Sequence, residues 1–236
     1  LSSARWLSSD VMHARRRRCW KFMSEERARH LEQQNAALRA ELQHRACNLL
    51  GVVRAMARRT LTEDEAFERY DARLAALGRA QGALAQGDGW SASLADLVGA
   101  ELAAIGAERS VRAEGPPVTL PVEVVPTLSL ALHELATNAR RHGALREARG
   151  RLCVTWRVES GNNGEGESRL VLTWRESGVV PPPGVPRRRG YGAEFLERGL
   201  AYQLGAATRI EQAPDGLSCT ISFPLPAEGA RRERAG

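Results

Sequence analysis

Three short clusters of residues have types and spacings that could do chemistry. In the first, His44 follows Leu42 by two positions and is followed by Arg45 and Asn48. A neutral imidazole on an accessible helix face is nucleophilic and titrates near neutral pH, as phosphoryl transfer to nitrogen requires. Arg45 could attract a phosphate, and Asn48, one helical turn on, could hydrogen-bond the ring. An exposed helical histidine is usually without function, so His44 indicates a phosphoacceptor only in combination with the other two clusters.

The second cluster lies in an apolar stretch that is typical of a helix. Glu134, Asn138, Arg141 and His142 recur at three- and four-residue spacing and therefore share one face. Such a face could offer an oxygen ligand for Mg²⁺ from Asn138, a base from Glu134 and a cation for phosphate oxygens from Arg141. Composition alone also fits an ordinary amphipathic surface helix with no chemistry.

The third cluster follows a predicted strand. Glu176 stands near the end of that strand with Gly178 behind it, and Gly190, Tyr191 and Gly192 open the next predicted helix. A carboxylate at a strand end could accept the amino hydrogen of adenine. Glycines at a helix N-terminus allow backbone amides to approach a phosphate, although a lone glycine pair is a weak signal.

The elements that must position His44 are two long helices. Residues 8–59 contain no proline, and apolar positions recur there in steps of three, four and seven. The seam is formed by Leu31, Asn35, Leu38, Leu42 and Leu49. This spacing predicts a coiled coil or helical hairpin, with Leu42 at position a and His44 facing outward at position c. A second helix from about residue 65 carries Phe67, Tyr70, Leu74, Leu77 and Leu84 on one face. Two such hairpins would bury this surface as a four-helix bundle.

Beyond residues 87–89 the pattern becomes mixed. We predict helices at 91–107, 126–142 and 192–205, and strands at 118–120, 151–158, 169–174, 208–212 and 218–225. Helices segregated from a largely antiparallel sheet indicate an α+β sandwich. The fold class is thus a helical hairpin followed by an α+β domain.

Composition argues against several classes of function. The 236 residues contain no apolar run long enough to span a membrane. The four cysteines never form a CxxC pair, so we expect neither a zinc site nor a disulfide, and we expect a reducing cytoplasm. The net charge of +6 comes with arginine runs at 15–18, 187–189 and from 231 onward. No aromatic interleaving accompanies these runs, so a nucleic-acid partner is not expected.

Taken in order, the three clusters resemble the HWE histidine kinases, a subgroup of two-component sensors. The matches are His44, Arg45 and Asn48 in an H-R-x-x-N acceptor box, His133 in the nucleotide-binding N-box, and Trp174 and Glu176 in a W-x-E motif. The resemblance covers roughly residues 41–225. Three motifs in the right order are far more specific than any one of them.

The resemblance implies a Bergerat-type ATP-binding domain and a set of roles. The implied ATP-binding residues are Asn138, Arg141, His142, Glu176, Gly178, Gly190, Tyr191 and Gly192. Within this set Glu176 binds adenine, Asn138 holds Mg²⁺, and the glycines let a lid meet the phosphates. Glu134 orients or deprotonates His44. His133 and Trp174 define the family, and a packing role for both stays open.

The implied function is ATP- and Mg²⁺-dependent autophosphorylation of His44, followed by transfer to an aspartate of a response regulator receiver domain. The helical stem is expected to form a homodimer. The implied division is a signal-transmitting helix at 1–30, a dimerisation and phosphotransfer hairpin at 31–89, a catalytic domain at 90–228 and a basic tail at 229–236. An upstream sensor domain is expected outside this sequence, and membrane attachment through it is left open.

Some positions depart from the family pattern. Gln43 stands where asparagine is expected, Ala46 and Cys47 replace a valine–lysine pair, Val179 and Val180 replace a second glycine, and Ala193 replaces a hydroxyl residue. The last two departures would loosen lid contacts with phosphate. They keep open a degenerate, non-catalytic relative that binds a response regulator and nucleotide. A relative that hydrolyses ATP for mechanical work is disfavoured, because it would leave the His44 stem without a purpose.

Overall fold

The structure is a computed structural model that describes residues 3–86, 90–107, 111–160, 168–179, 191–213 and 215–225. The chain forms two compact units, Leu1–Leu49 and Leu50–Gly236. Helix α1, Ser3–Thr60, contributes to both units. The predicted domain boundaries remain predictions, and each unit is described by itself.

The first unit is helical, and its leucine seam is exposed. The exposed fraction of the seam leucines runs from 50% for Leu31 to 66% for Leu49. An exposed leucine stripe of this length is what an unpaired coiled-coil helix presents. The four-helix bundle therefore stays a prediction. No helix in the described part of the chain combines the length and apolarity needed to cross a bilayer.

The second unit combines helices with one large sheet. Its helices are α2 Asp64–Gln86, α3 Leu94–Ala104, α4 Val125–His142, α5 Tyr191–Glu194 and α6 Leu200–Leu204, the last two joined by a π-helical turn at Phe195–Gly199. Its strands are β1 Ser91–Ser93, β2 Val111–Glu114, β3 Thr119–Pro121, β4 Arg151–Ser160, β5 Ser168–Ser177, β6 Ala207–Ala213 and β7 Gly216–Leu225. The predicted fold class, helices followed by an α+β domain, is confirmed.

The large sheet has the order β2-β4-β5-β7-β6, and only the β2–β4 pair is parallel. A separate two-stranded sheet pairs β1 with β3. Alternate residues of β5, including Leu170, Leu172 and Trp174, are buried because one face of the strand covers the core. Glu176 continues the same alternation and is therefore buried as well.

Helix α4 lies against this core. Pro126 stands in its first turn, where a missing N–H costs nothing. The predicted apolar face is buried: Leu128, Leu132, Leu135 and Ala139 are at most 1% exposed. The helix ends at His142, and the N–H of the capping residue Gly143 donates to the Ala139 carbonyl. The predicted span of 126–142 thus differs from the observed one by a single residue.

Helix α2 packs on α4 through small residues. Ala76 and Ala80 are fully buried, and Leu84 nearly so, at four-residue spacing. Small side chains let two helix backbones approach closely, which brings polar side chains of α2 over α4. The predicted α2 face is half-buried at Phe67 and Leu74 and buried at Leu84, so it coincides only in part with the stripe that packs on α4.

Two short strands depart from prediction. The helix expected from residue 91 begins at Leu94, because residues 91–93 pair with β3 and the Ser93 hydroxyl caps the helix by accepting from the Asp96 N–H at 3.3 Å. Strand β2 was not predicted, and only Val111 of its four residues is not fully exposed. A strand with so little burial leaves no alternating pattern to detect.

Candidate phosphoacceptor and nucleotide-binding sites

The Glu134 carboxylate, the predicted base, lies between two other elements. Its Oε1 accepts a hydrogen bond from Arg73 Nε of α2 at 2.6 Å. Its Oε2 faces Gly192 of α5 so closely that a Cβ at Gly192 would stand 2.3 Å away. Glu134 is 7% exposed. The polar face of α4 is therefore covered at this position rather than solvated, because α2 and α5 both pack there.

The same arginine reaches α5. The Arg73 guanidinium carbon lies 4.3 Å from the centroid of the Tyr191 ring, a cation–π geometry. Tyr191 in turn stacks on Phe195 with centroids 6.4 Å apart. Glu134, Tyr191 and Gly192, taken from two clusters predicted separately, thus lie together around one arginine that the sequence did not single out.

The Glu176 carboxylate joins β5 to the end of α4. Its Oε1 accepts from the Trp174 indole N–H at 3.1 Å, and its Oε2 accepts from the Ala144 N–H at 2.9 Å. Glu176 is 2% exposed, and a Cβ at Gly143 would stand 1.9 Å from Oε2. A carboxylate can accept about four hydrogen bonds, so the two protein donors do not use its full capacity.

Trp174 therefore has a definite task. Its indole is 1% exposed and holds Glu176 in place as well as filling the core. The spacing of two in the W-x-E motif follows from this contact, since residues i and i+2 of a strand share a face.

Glycine is required at Gly192 and at Gly178 for different structural reasons. Gly192 is needed for the close approach to Glu134, as its built Cβ shows. Gly178 has a positive φ of 76° and no room for a Cβ, which would stand 2.5 Å from the Arg149 carbonyl oxygen. Backbone geometry alone thus accounts for Gly178. Gly190 lies outside the described residues.

The predicted Mg²⁺ and phosphate residues follow Glu134 on α4. Asn138 is half-buried one turn after Glu134, and Arg141 and His142 are exposed near the helix end. Mg²⁺ keeps several waters and takes few protein ligands when a nucleotide supplies phosphate oxygens, so one amide oxygen suits it. Among the described residues no cluster of three acidic, histidine or cysteine side chains offers an all-protein metal site. The residues present fit a nucleotide-borne Mg²⁺ on Asn138.

A buried polar network beside the site was missed by the sequence reasoning. Glu101 of α3 is 1% exposed and accepts from Arg79 at 3.0 and 2.6 Å and from the Ser129 hydroxyl at 2.8 Å. His133 Nδ1 lies 3.6 Å from Glu101, and His133 Nε2 lies 3.5 Å from the Thr137 hydroxyl. His133 therefore belongs to the contact between α2, α3 and α4.

The charge of Glu101 is maintained by its partners. Burial raises the pKa of its carboxyl, but hydrogen bonds from His133 and Arg79, the positive charge of Arg79 and the hydrogen bond from Ser129 outweigh burial and lower the pKa overall. The sequence carried one signal of this. Glu101 falls on the stripe of Leu94, Leu97 and Val98, where a carboxylate has to be paired.

The phosphoacceptor candidate belongs to the first unit. His44 is exposed on α1, and its Nδ1 lies 3.4 Å from the Asn48 side-chain nitrogen. Arg45 pairs with Glu41 at 2.7 Å across one turn. The predicted contact between Asn48 and the ring is present. Leu42 is exposed as well, so accessibility alone does not set His44 apart from the seam.

Comparison with solved structures identifies the fold. The fold is that of a histidine kinase catalytic domain preceded by a helical region. The histidine kinase domain of the Erythrobacter litoralis EL346 blue-light activated histidine kinase superposes with a TM-score of 0.53 at 20% identity, over 82% of this chain and 94% of that one. A longer chain of the same protein gives 0.55 at 23% identity, over 81% of this chain and 60% of that one.

Sequence comparison then gives the family. Residues 41–117 match the HWE histidine kinase family model. A blue-light-activated histidine kinase of Rhizobium johnstonii is 32% identical over 196 residues, which are 82% of this chain and 55% of that protein. One from Brucella anthropi is 32% identical over 203 residues, which are 84% of this chain and 40% of that protein. The chain belongs to the HWE histidine kinases, and it spans about half the length of these curated relatives.

Proposed function

We propose that this chain is the kinase core of a sensor histidine kinase that uses Mg-ATP to phosphorylate its own His44. One observation supports the proposal. Residues of the third cluster, Gly192 and Glu176, contact the second cluster near its first and last residues. Gly192 packs on Glu134, and Glu176 accepts from the Ala144 N–H just past the helix. A candidate base at the middle of α4 and an adenine-binding carboxylate just past its end suit a nucleotide lying along the second half of the helix.

The phosphoacceptor ring has to lose a proton. When the Asn48 amide donates to His44 Nδ1, the ring proton resides on Nε2. Nε2 can attack the γ-phosphorus of ATP only as that proton leaves, because the electron pair of a protonated ring nitrogen is part of the aromatic system. Glu134 is the acceptor that we assign to the proton. The bond from the γ-phosphorus to the bridging oxygen then breaks, and ADP departs.

The nucleotide is held by residues on and beside α4. Glu176 accepts from adenine, while Arg141 and His142 contact phosphate oxygens. Asn138 would hold Mg²⁺, which supplies charge neutralisation for the phosphoryl group as it moves. Arg45 of the acceptor box stands one residue from His44, although its guanidinium is engaged by Glu41.

Two partners follow from this function. The phosphoryl group would pass from His44 to an aspartate of a response regulator receiver domain. The exposed seam of Leu31, Leu38 and Leu49 supports a homodimer through the stem. Light scattering at micromolar concentration tests the dimer, and a single-protomer mass would rule it out.

Incubation with γ-labelled ATP and Mg²⁺ tests the kinase. We expect acid-labile, base-stable label on the wild-type chain and none on His44→Gln. His30→Gln is the matched control, since His30 is also exposed on α1 and also contacts a side chain four residues on, Gln34 at 3.0 Å. Label that survives in His44→Gln would overturn the assignment.

A non-catalytic relative is the second candidate. The departures at Val179, Val180 and Ala193 favour it, as does the engagement of Glu134 by Arg73. This candidate predicts nucleotide binding with no label on any residue. The same incubation, combined with a measurement of ATP binding, separates the two.

A further inference from the structure

Arg73 stands where the two predicted active-site clusters meet. It donates to Glu134 through Nε and lies over the Tyr191 ring. We propose that Arg73 is a latch: it holds Glu134 covered in the resting state, and its release is a step that precedes phosphoryl transfer. The inference rests on the proposed function, because it assigns regulation to the base of that reaction.

Both oxygens of Glu134 are covered in the described state. Oε1 accepts from Arg73 Nε at 2.6 Å, and Oε2 is packed against Gly192. A general base must come within about 2.6–3.2 Å of the proton that it takes. The carboxylate has hydrogen-bonding capacity left, but Glu134 is only 7% exposed, so an imidazole can reach its oxygens only after Arg73 or α5 moves.

Arg73 is the more readily displaced of the two cover groups. It is a side chain, 24% exposed, and a long flexible arginine can exchange its carboxylate partner for water. Gly192, in contrast, is backbone in a packed helical segment. Moving the arginine requires only new rotamers, whereas moving the glycine requires the α5 backbone to shift.

A second arginine of α2, Arg79, makes a more extensive and more buried contact than Arg73 does. Arg79 makes two hydrogen bonds to Glu101, which is also held by Ser129 and is 1% exposed. Because Arg79 fastens α2 to α3 and α4 independently, Arg73 can leave Glu134 without detaching the helix. Helix α2 thus carries a fixed contact and a releasable one, six residues apart.

The aromatic contact connects the latch to α5. Arg73 lies over the face of Tyr191, and Tyr191 stacks on Phe195 of the following turn. A shift of α5 that carries Tyr191 and Gly192 away from α4 would weaken the hold of Arg73 and uncover Oε2 of Glu134 at the same time.

The experiment compares Arg73→Met with Arg69→Met in the full chain. Methionine keeps an unbranched stem and good helix propensity but donates no hydrogen bond. Arg69 is one turn earlier on α2, where it pairs with Glu65 and takes no part in the site. At saturating Mg-ATP we expect the initial autophosphorylation rate to rise about tenfold in Arg73→Met, as expected for losing a charged hydrogen bond. Arg69→Met should stay within about twofold, since exposed helix pairs contribute little.

A slower or unchanged rate in Arg73→Met overturns the latch, since a slower rate would make Arg73 a supporting group instead. Arg73→Lys retains a cation without the planar stack and should give an intermediate rate. It also serves as the readout if Arg73→Met fails to fold, and in that case a wild-type rate in Arg73→Lys overturns the latch.

A nucleotide-free measurement separates the latch from the kinase itself. Backbone amides of residues 191–199 should exchange hydrogen about tenfold faster in Arg73→Met than in Arg69→Met. Absence of label from every variant, with this difference present, refutes the proposed function and leaves the contact intact. Label in all variants with identical exchange refutes the latch and leaves the function.

Discussion

The Arg79 guanidinium and the Glu101 carboxylate form a two-hydrogen-bond pair, at 3.0 and 2.6 Å, that joins α2 to α3. The pair is enclosed by Ser129 and His133 of α4, so three helices meet at one buried charge. The second helix of the predicted hairpin is in this way tied to the α+β domain. These contacts join α2 directly to the helix that carries Glu134 and Asn138.

We predict that Arg79→Met destabilises the fold strongly. It leaves the Glu101 carboxylate buried without its cation, and breaking a buried pair in this way costs about 3 kcal/mol or more. Arg209→Met is the matched control, because Arg209 and Glu211 form an exposed pair on β6. Arg209→Met should lower the free energy of unfolding by less than about 1 kcal/mol. Denaturant unfolding measures both, and equal losses would contradict the role given to the buried pair.

The lowered pKa of Glu101 predicts a pH dependence of stability. The pKa of Glu101 in the folded chain lies below its ordinary value, so the unfolded chain takes up the proton first as pH falls. The stabilisation is fully present above about pH 4.5 to 5 and is lost as pH falls through the folded pKa. Wild type should therefore lose stability more steeply than Glu101→Gln as pH falls below the ordinary pKa of a glutamate carboxyl. Parallel curves for the two chains would exclude this origin.

We predict that Trp174→Phe weakens nucleotide binding through Glu176. The substitution keeps an aromatic ring but removes the indole donor to Glu176, at a cost of about 1–2 kcal/mol in stability. Trp156→Phe is the control, since it removes a similar bond to the Pro116 carbonyl away from the site. Calorimetric ATP titration should show about threefold to tenfold weaker binding for Trp174→Phe only. Equal affinities of the two variants would mean that Trp174 serves packing alone.

Gly143→Ala tests the position of the Glu176 carboxylate from the other side. The new Cβ would stand 1.9 Å from Oε2, so Glu176 has to leave the Ala144 N–H. We expect ATP binding to weaken by about tenfold or more. Gly99→Ala provides the control, because nothing lies within 4 Å of a Cβ at that helical position. Unchanged ATP affinity in Gly143→Ala would show that ATP binding does not depend on this position of the Glu176 carboxylate.

The sequence was a good guide wherever a local pattern reports on burial. The apolar stripe of α4 and the alternation of β5 are both fixed by which residues face the core, and both were predicted within a few residues. The W-x-E motif gave a pair that the strand period places on one face. These features need no knowledge of the rest of the chain.

Contacts between distant segments could not be read in the same way. Arg73 and Glu134 are 61 residues apart, and Arg79 and Glu101 are 22 apart, so no periodicity links either pair. The packing of α2 on α4 brings them together, and it depends on Ala76 and Ala80 being small. A partner for Glu101 could be anticipated from its position on an apolar stripe, but its identity could not.

Direct localisation of the phosphoryl group tests the central claim most sharply. After incubation with Mg-ATP, the chain would be digested under alkaline conditions and the phosphopeptides fragmented by electron transfer in a mass spectrometer. We predict phosphate on the peptide that contains His44, and its loss in Glu134→Gln with ATP binding retained. Phosphate on His30, His133 or His142 instead, or full phosphorylation of His44 in Glu134→Gln, would contradict it.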